Sequence, residues 1–270
     1  MLKTRILSAG VFAPALFICV WQGGIYLKLT CLALAILMFW EYQNLLIDAP
    51  YRALRFLGFI ATALLASLLM WNDDPTIWPF VIAGIMLCTF IALLSKPLPF
   101  KESMTQYALV LTGIFYAGAL IPFLGRLRDQ NITLGLGLTL CALFCTWAGD
   151  TGAYFTGRLL GKHPLAPKVS PKKTIEGALG GVCTAIAMAY IIISTLDLSV
   201  GHHHIVAFGL LAGTSGILGD LAESLIKRAA GAKDSSGIIP GHGGVLDRFD
   251  GVMFSAPVLC AYAHFIPLTA

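Results

Sequence analysis

Charge is what this sequence has least of. Only 12% of its 270 residues are Asp, Glu, Lys or Arg, while 57% are hydrophobic. A soluble domain carries about 25% charged residues, so an ordinary buried core does not account for the deficit. Cysteines are absent from the polar loops: Cys19, Cys31, Cys88, Cys141, Cys145, Cys183 and Cys260 all lie in apolar runs. A free thiol behaves there as a small hydrophobe, and no disulfide framework is implied. Cys141 and Cys145 are one helical turn apart, but no other ligand-type residue stands near them, so no metal site is read there. The alternation of an outer-membrane barrel is missing. No small-x-small cleavage site closes the first apolar run after Met1-Leu-Lys-Thr-Arg5, and a second run follows at once. The N-terminus therefore reads as a retained span rather than a signal peptide. Internal repeats are missing too, and polar residues are not spread along a path, which argues against a transporter.

What is present is long apolar sequence. Nine blocks, at about 6–21, 24–40, 54–71, 77–94, 105–124, 132–155, 174–196, 204–228 and 251–268, approach the length of about 20 residues that crosses a bilayer as a helix. Hydrocarbon offers no partner to backbone N–H and C=O groups, so each block must satisfy itself as a helix. The expectation is an all-α, polytopic integral membrane protein with about nine transmembrane helices and a cytoplasmic N-terminus. Gln22-Gly23-Gly24 is expected to be a tight hairpin.

The orientation comes from Lys and Arg. With the N-terminus inside, Lys3, Arg5, Arg52, Arg55, Lys96, Lys101, Arg158, Lys162, Lys168, Lys172, Lys173, Lys227, Arg228, Lys233 and Arg248 are cytoplasmic. Only Lys28, Arg126 and Arg128 fall elsewhere, and the opposite orientation inverts the bias. Trp21, Trp40, Trp71 and Trp78 mark block ends, as interfacial anchors do. The first five blocks are nearly free of ionisable residues, whereas the loops after Asp150 are dense with them. Residues 1–130 are thus expected to form a hydrophobic scaffold of about five spans. Residues 131–270 form a catalytic membrane region of about four. His202, His203 and His204 cannot all face one ion from a regular helix, and a solvated loop end is the preferred reading.

Three polar segments fall on the cytoplasmic side. In Trp147-Ala-Gly-Asp150-Thr-Gly-Ala-Tyr154-Phe-Thr-Gly-Arg158, Asp150 lies inside or near the end of a span, where an ionisable group is costly and points to function. Tyr154 is one turn on and can share its face. A helix-tying ion pair of Asp150 with Lys or Arg is the plainer reading. In Lys168-Val-Ser170-Pro171-Lys172-Lys173-Thr174-Ile-Glu176-Gly177, Ser170 suits an N-cap and Pro171 the first helical position. Lys172 and Lys173 would then sit at a helix N-terminus, a phosphate site, or in a loop that attracts anionic head groups.

The third segment is the densest. Asp220, Glu223, Ser224 and Lys227 fall at i, i+3, i+4 and i+7, one polar stripe on an apolar span. Two carboxylates at membrane depth do not face lipid. The next helix is expected to begin near Asp247 to Asp250, which returns carboxylates to the same depth, and Gly241, Gly243 and Gly244 let the connecting loop fold tightly. Carboxylates interleaved with Lys and Arg suit a hydrated Mg²⁺ holding substrate phosphates. A network of ion pairs closing the bundle explains two or three of these residues, not all of them.

The run Ser224-x-x-Lys227-Arg228-x-x-x-x-Lys233-Asp234, followed by His242-Gly243-Gly244-x-x-Asp247-Arg248-x-Asp250, resembles the signature of the phosphatidate cytidylyltransferases, or CDP-diacylglycerol synthases. Residues 150–158 and 170–177 are similar to stretches of that family in the same order. Ile175 stands where an aromatic residue is expected, and the first half resembles the family only as apolar spans. The resemblance implies an enzyme of the bacterial inner membrane that makes CDP-diacylglycerol and pyrophosphate from CTP and phosphatidic acid. It implies Mg²⁺ on carboxylates matching Asp220 and Asp247. Asp150 is a candidate to orient a second cation or the nucleotide. Lys227, Arg228, Lys233 and Arg248 are then candidates for the triphosphate and lipid phosphate. Lys172 and Lys173 would close over the nucleotide, and Tyr154, Ser224, Asp234, His242 and Asp250 complete the substrate site. The partners expected are the two substrates, membrane lipid and a second copy of the chain, with no nucleic acid. A lipid kinase or another nucleotide-dependent lipid transferase is the alternative.

Overall fold

The structure, a computed structural model, describes residues 2–47, 51–94 and 99–268, with side chains from Gly10 onward. Lys96 and the side chains of Lys3 and Arg5, counted above for orientation, lie outside the described residues. Helix dominates the described residues, and each of the nine apolar blocks falls mainly on helix. In order these are α1 (Leu2–Gln22), α2 (Gly24–Leu46), α3 (Arg52–Trp71), α4 (Trp78–Leu94), α5 (Phe100–Leu120), α6 (Phe123–Gln130), α7 (Gly135–Leu140), α8 (Thr146–Leu160), α9 (Ile175–Thr195), α10 (His202–Ala229) and α11 (Leu246–Phe265). Among the described residues, six helical stretches are long and apolar enough to cross a membrane: Gly24–Leu46, Arg52–Trp71, Pro75–Leu94, Phe100–Gln130, Ile175–Thr195 and His202–Ala229. Phe80, Leu87, Ile91 and Leu94 of α4 are all more than half exposed. Such a surface fits lipid rather than water.

Local chemistry explains the breaks. Gly23 at φ +65° lets α1 reverse into α2 as the expected hairpin, in a backbone region that costs other residues strain. The sixth block is one helical course in three parts. Between α7 and α8, Cys141–Cys145 forms a π turn. There the Ala142 carbonyl accepts from Thr146 Oγ1 at 2.9 Å and from Ser255 Oγ of α11 at 3.0 Å. Side-chain hydroxyls thus occupy the place of the displaced ladder bond.

Two expectations are corrected. Ser170 and Pro171 do not open a helix. Ser170–Thr174 is β2, antiparallel to β1 (Pro164–Ala166), with Pro164 opposite Thr174 and Ala166 opposite Ser170. The N-cap of α9 is Thr174, whose hydroxyl accepts from Gly177 N at 3.1 Å. Proline is tolerated on a two-stranded edge, and Thr174 is the better cap because helical dihedrals begin only after it. The solvated loop end expected for the histidines holds only in part. They open α10 with His202 and His203 exposed, while His204 is buried with its Nδ1 2.9 Å from the Tyr262 hydroxyl of α11.

The three cations on the sparse side act as locks. Arg128 donates to the Val20 and Trp21 carbonyls at the end of α1, at 3.1 and 3.2 Å. Arg126 donates to the Leu69 and Asn72 carbonyls at the end of α3 and pairs with Asp73 at 2.7 Å. Lys28 pairs with Asp129 at 2.8 Å. Helix C-termini present unsatisfied carbonyls and negative dipole ends, which is what these guanidinium groups meet.

Candidate active site

The opposite ends of the helices bring the three polar segments together. On α10 the expected stripe forms: Lys227 Nζ lies 2.5 Å from Glu223 Oε2, and Ser224 Oγ donates to Asp220 Oδ1 at 3.3 Å. Gly219 allows α11 to pass close by, since a Cβ there would collide with the Asp250 carbonyl. Asp250 is thereby laid beside the stripe. Carboxylate oxygens of Asp220, Glu223 and Asp250 all lie within 4.8 Å of one another.

The β hairpin reaches in from the other side. Lys173 forms an ion pair with Asp220, which ties the second segment to the third. Glu176 pins the hairpin base, accepting from Lys162 N and His163 N at 3.0 and 3.2 Å, with His163 Nδ1 2.5 Å away. A cavity of about 580 Å³ opens between hairpin and stripe. Asp150, Tyr154, Lys172, Lys173, Asp220, Lys227, Asp234, Asp247, Arg248 and Asp250 of the expected set line it, joined by Arg158 and Glu223.

Other expected residues stand outside this cavity. Arg228 spends its guanidinium on backbone, donating to Val169 O at 3.4 Å and Ala232 O at 3.2 Å, so it holds the hairpin to the end of α10. Ser224 sits behind Asp220. Lys233 is exposed and away from the lining. His242 faces a second cavity of about 630 Å³, walled mainly by apolar residues such as Phe12, Leu16, Leu34, Leu37 and Phe249. The two cavities share Asp150, Asp247 and Arg248.

Asp247, matched with Asp220 as a metal carboxylate in the sequence, stands apart from the trio. Its Oδ1 accepts from Lys227 Nζ at 2.6 Å. Its Oδ2 accepts from Ser235 N and Oγ, both at 2.9 Å, and from Gly244 N at 2.8 Å. Glu223 is the reverse case. It is 1% exposed, and neither carboxylate oxygen has a hydrogen-bond partner apart from the Lys227 ion pair. Buried acceptors are rarely left so. Three hard oxygen donors converging around an under-satisfied carboxylate fit a divalent cation such as Mg²⁺.

Residues 3–266 match the model of the Cytidylyltransferase family. The chain belongs to that family. Phosphatidate cytidylyltransferase of Staphylococcus epidermidis is 35% identical to it over 264 residues, covering 95% of each chain. The Haemophilus influenzae protein of the same name is 35% identical over 291 residues, covering 98% of this chain and all of the relative. That of Staphylococcus aureus is 33% identical over 265 residues, again 95% of each. These cytidylyltransferase alignments span the hydrophobic first half, which the signature residues did not reach.

One prominent polar residue had no expected role. Glu41, near the end of α2, is fully buried, and it meets the loop before α11. Its signal in the sequence is a single carboxylate closing an apolar block whose one other ionisable charge is Lys28.

Proposed function

We propose that this chain transfers a cytidylyl group from CTP to phosphatidic acid, releasing pyrophosphate and forming CDP-diacylglycerol. The observation that carries this is the pairing of cavities. A charged one holds five cations, Arg158, Lys172, Lys173, Lys227 and Arg248, opposite a carboxylate trio. An apolar one adjoins it through a shared wall. The first suits a triphosphate and the second an acyl chain. The names of the relatives agree with this reading.

Asp220, Glu223 and Asp250 are the residues that would hold Mg²⁺. When bound, the cation supplies charge neutralisation on the triphosphate and keeps it oriented. The phosphate monoester of the lipid is itself the nucleophile. Its oxygen bonds to the α-phosphorus of CTP as the bond to the β-phosphate oxygen breaks. Catalysis of such transfer is mostly positioning and charge stabilisation. Lys172 and Lys173 on the hairpin cover the nucleotide phosphates, and Arg248 stands in the wall where nucleotide and lipid phosphates meet. Asp247 holds Lys227 in an ion pair at the cavity wall. In this reading the site faces the cytoplasm of a bacterial inner membrane, which agrees with the Lys and Arg bias of the sequence and with CTP being a cytosolic solute.

The test is purified enzyme in detergent micelles with CTP and phosphatidic acid. Pyrophosphate release dependent on Mg²⁺ is expected, and Glu223→Gln should lower kcat by about 100-fold or more. Release of a nucleoside diphosphate instead would make the protein a lipid kinase.

A further inference from the structure

We infer that Glu41, from the hydrophobic first half, is a positioning residue for the reaction. It would hold the loop 235–246 and the start of α11 in register with α10. The inference rests on the cytidylyltransferase reading above.

Four donors converge on this one buried carboxylate. Oε1 accepts from Ser236 Oγ at 2.5 Å and from Val245 N at 2.8 Å. Oε2 accepts from Leu246 N at 2.7 Å and from Ser235 Oγ at 3.0 Å. Val245 and Leu246 are the N-cap and first residue of α11, and no side chain of α11's own caps it. The first N–H groups of a helix have no partner within it, and an anion is favoured at that end. Glu41 therefore caps α11 from a helix some 200 residues earlier in the chain.

The same contacts lead into the site. Ser235 Oγ is 3.0 Å from Glu41 and 2.9 Å from Asp247. A hydroxyl has one proton to donate, so it joins the two carboxylates by donating to one at a time. Asp247 in turn holds Lys227, and Lys227 holds Glu223. The loop passes so close that a Cβ on Gly244 would meet both oxygens of Glu41 and the Ser235 hydroxyl. A charge buried only to fill space would be costly. Four donors, two of them at the N-terminus of the helix that carries Asp247 and Asp250, give this one a task.

Glu41→Gln tests the task, since it keeps the shape but turns one acceptor into a donor facing N–H and O–H groups. The variant is expected to elute like wild type but to melt at a lower temperature, because a buried amide N–H then faces donors. Amide exchange at residues 244–247 should rise by about tenfold or more. The kcat should fall on the order of 10- to 100-fold, with KM for CTP changed less than about threefold. Unchanged kcat in the folded variant overturns the inference, whatever the exchange shows. So does exchange raised evenly across α2, α10 and α11 with normal kcat per folded molecule, the mark of a packing role alone. If Glu41→Gln does not fold, the double variant Ser235→Ala, Ser236→Ala removes two of the four donors. It is read by the same two measurements, with normal values again overturning the inference. Wild type in the same assay separates the two readings. No pyrophosphate release from wild type sinks the functional reading, while amide exchange, which needs no turnover, still decides whether Glu41 orders the loop.

Discussion

Asp247 and Glu223 show why identical side-chain chemistry serves different ends. Asp247 accepts hydrogen bonds on both oxygens, from Lys227, Ser235 and Gly244. Glu223 is buried with its oxygens unpaired but for Lys227. Under the proposed assignment, Asp247→Asn should lower kcat by about 10- to 100-fold through loss of the Lys227 contact, yet leave the Mg²⁺ concentration for half-activation within about twofold. Asp250→Asn should raise that concentration several-fold, and its binding of Mn²⁺ alone, followed by electron spin resonance, should weaken in step. A raised half-activation in Asp247→Asn would return Asp247 to the cation. The stripe Asp220, Glu223, Ser224 and Lys227 was legible in the sequence because helical spacing alone puts these residues on one face. Which carboxylates converge was not legible, because that depends on how closely α11 approaches α10, a matter of backbone contact at Gly219.

At the scale of elements, that approach is itself testable. A methyl group at position 219 would strike the Asp250 carbonyl and force α10 and α11 apart. Gly219→Ala should destabilise the protein by about 1–3 kcal/mol and lower kcat by about 10-fold or more, measured by thermal unfolding and pyrophosphate release. Unaltered stability and turnover would mean that the two helices have room to spare. The helices could be read from apolar length because bilayer hydrocarbon leaves the backbone no other solution. The β hairpin could not. Ser170-Pro171 offers a credible helix start, and only the pairing of Pro164 with Thr174 shows that the chain stays extended for another turn. Lys172 and Lys173 therefore sit on a strand, with Thr174 rather than Ser170 as the cap. The π turn at Cys141–Cys145 was equally hidden, since the residue that relieves it, Ser255, lies far along the chain.

The whole molecule has two polar ends with different work. One carries the cavity. At the other, Arg126 and Arg128 hold the ends of α3 and α1. Arg128→Ala should cost about 1–3 kcal/mol of stability, seen as a lower melting temperature, while kcat and KM stay within about twofold. A large loss of kcat would show that the two ends communicate. The division into scaffold and catalytic halves expected from charge density misses Glu41 because a single carboxylate barely alters the composition of an apolar block. The partition formed by Asp150, Asp247 and Arg248 bears on how a catalytic cycle ends. Under the proposed reaction, the finished molecule has a water-loving head in one chamber and oily tails in the other, so neither doorway alone can discharge it. On that reading pyrophosphate would leave toward water, and the lipid product would slide out sideways among its neighbours in the bilayer. In nanodiscs of stiff, saturated lipid, steady turnover should drop while the first burst of pyrophosphate keeps its size.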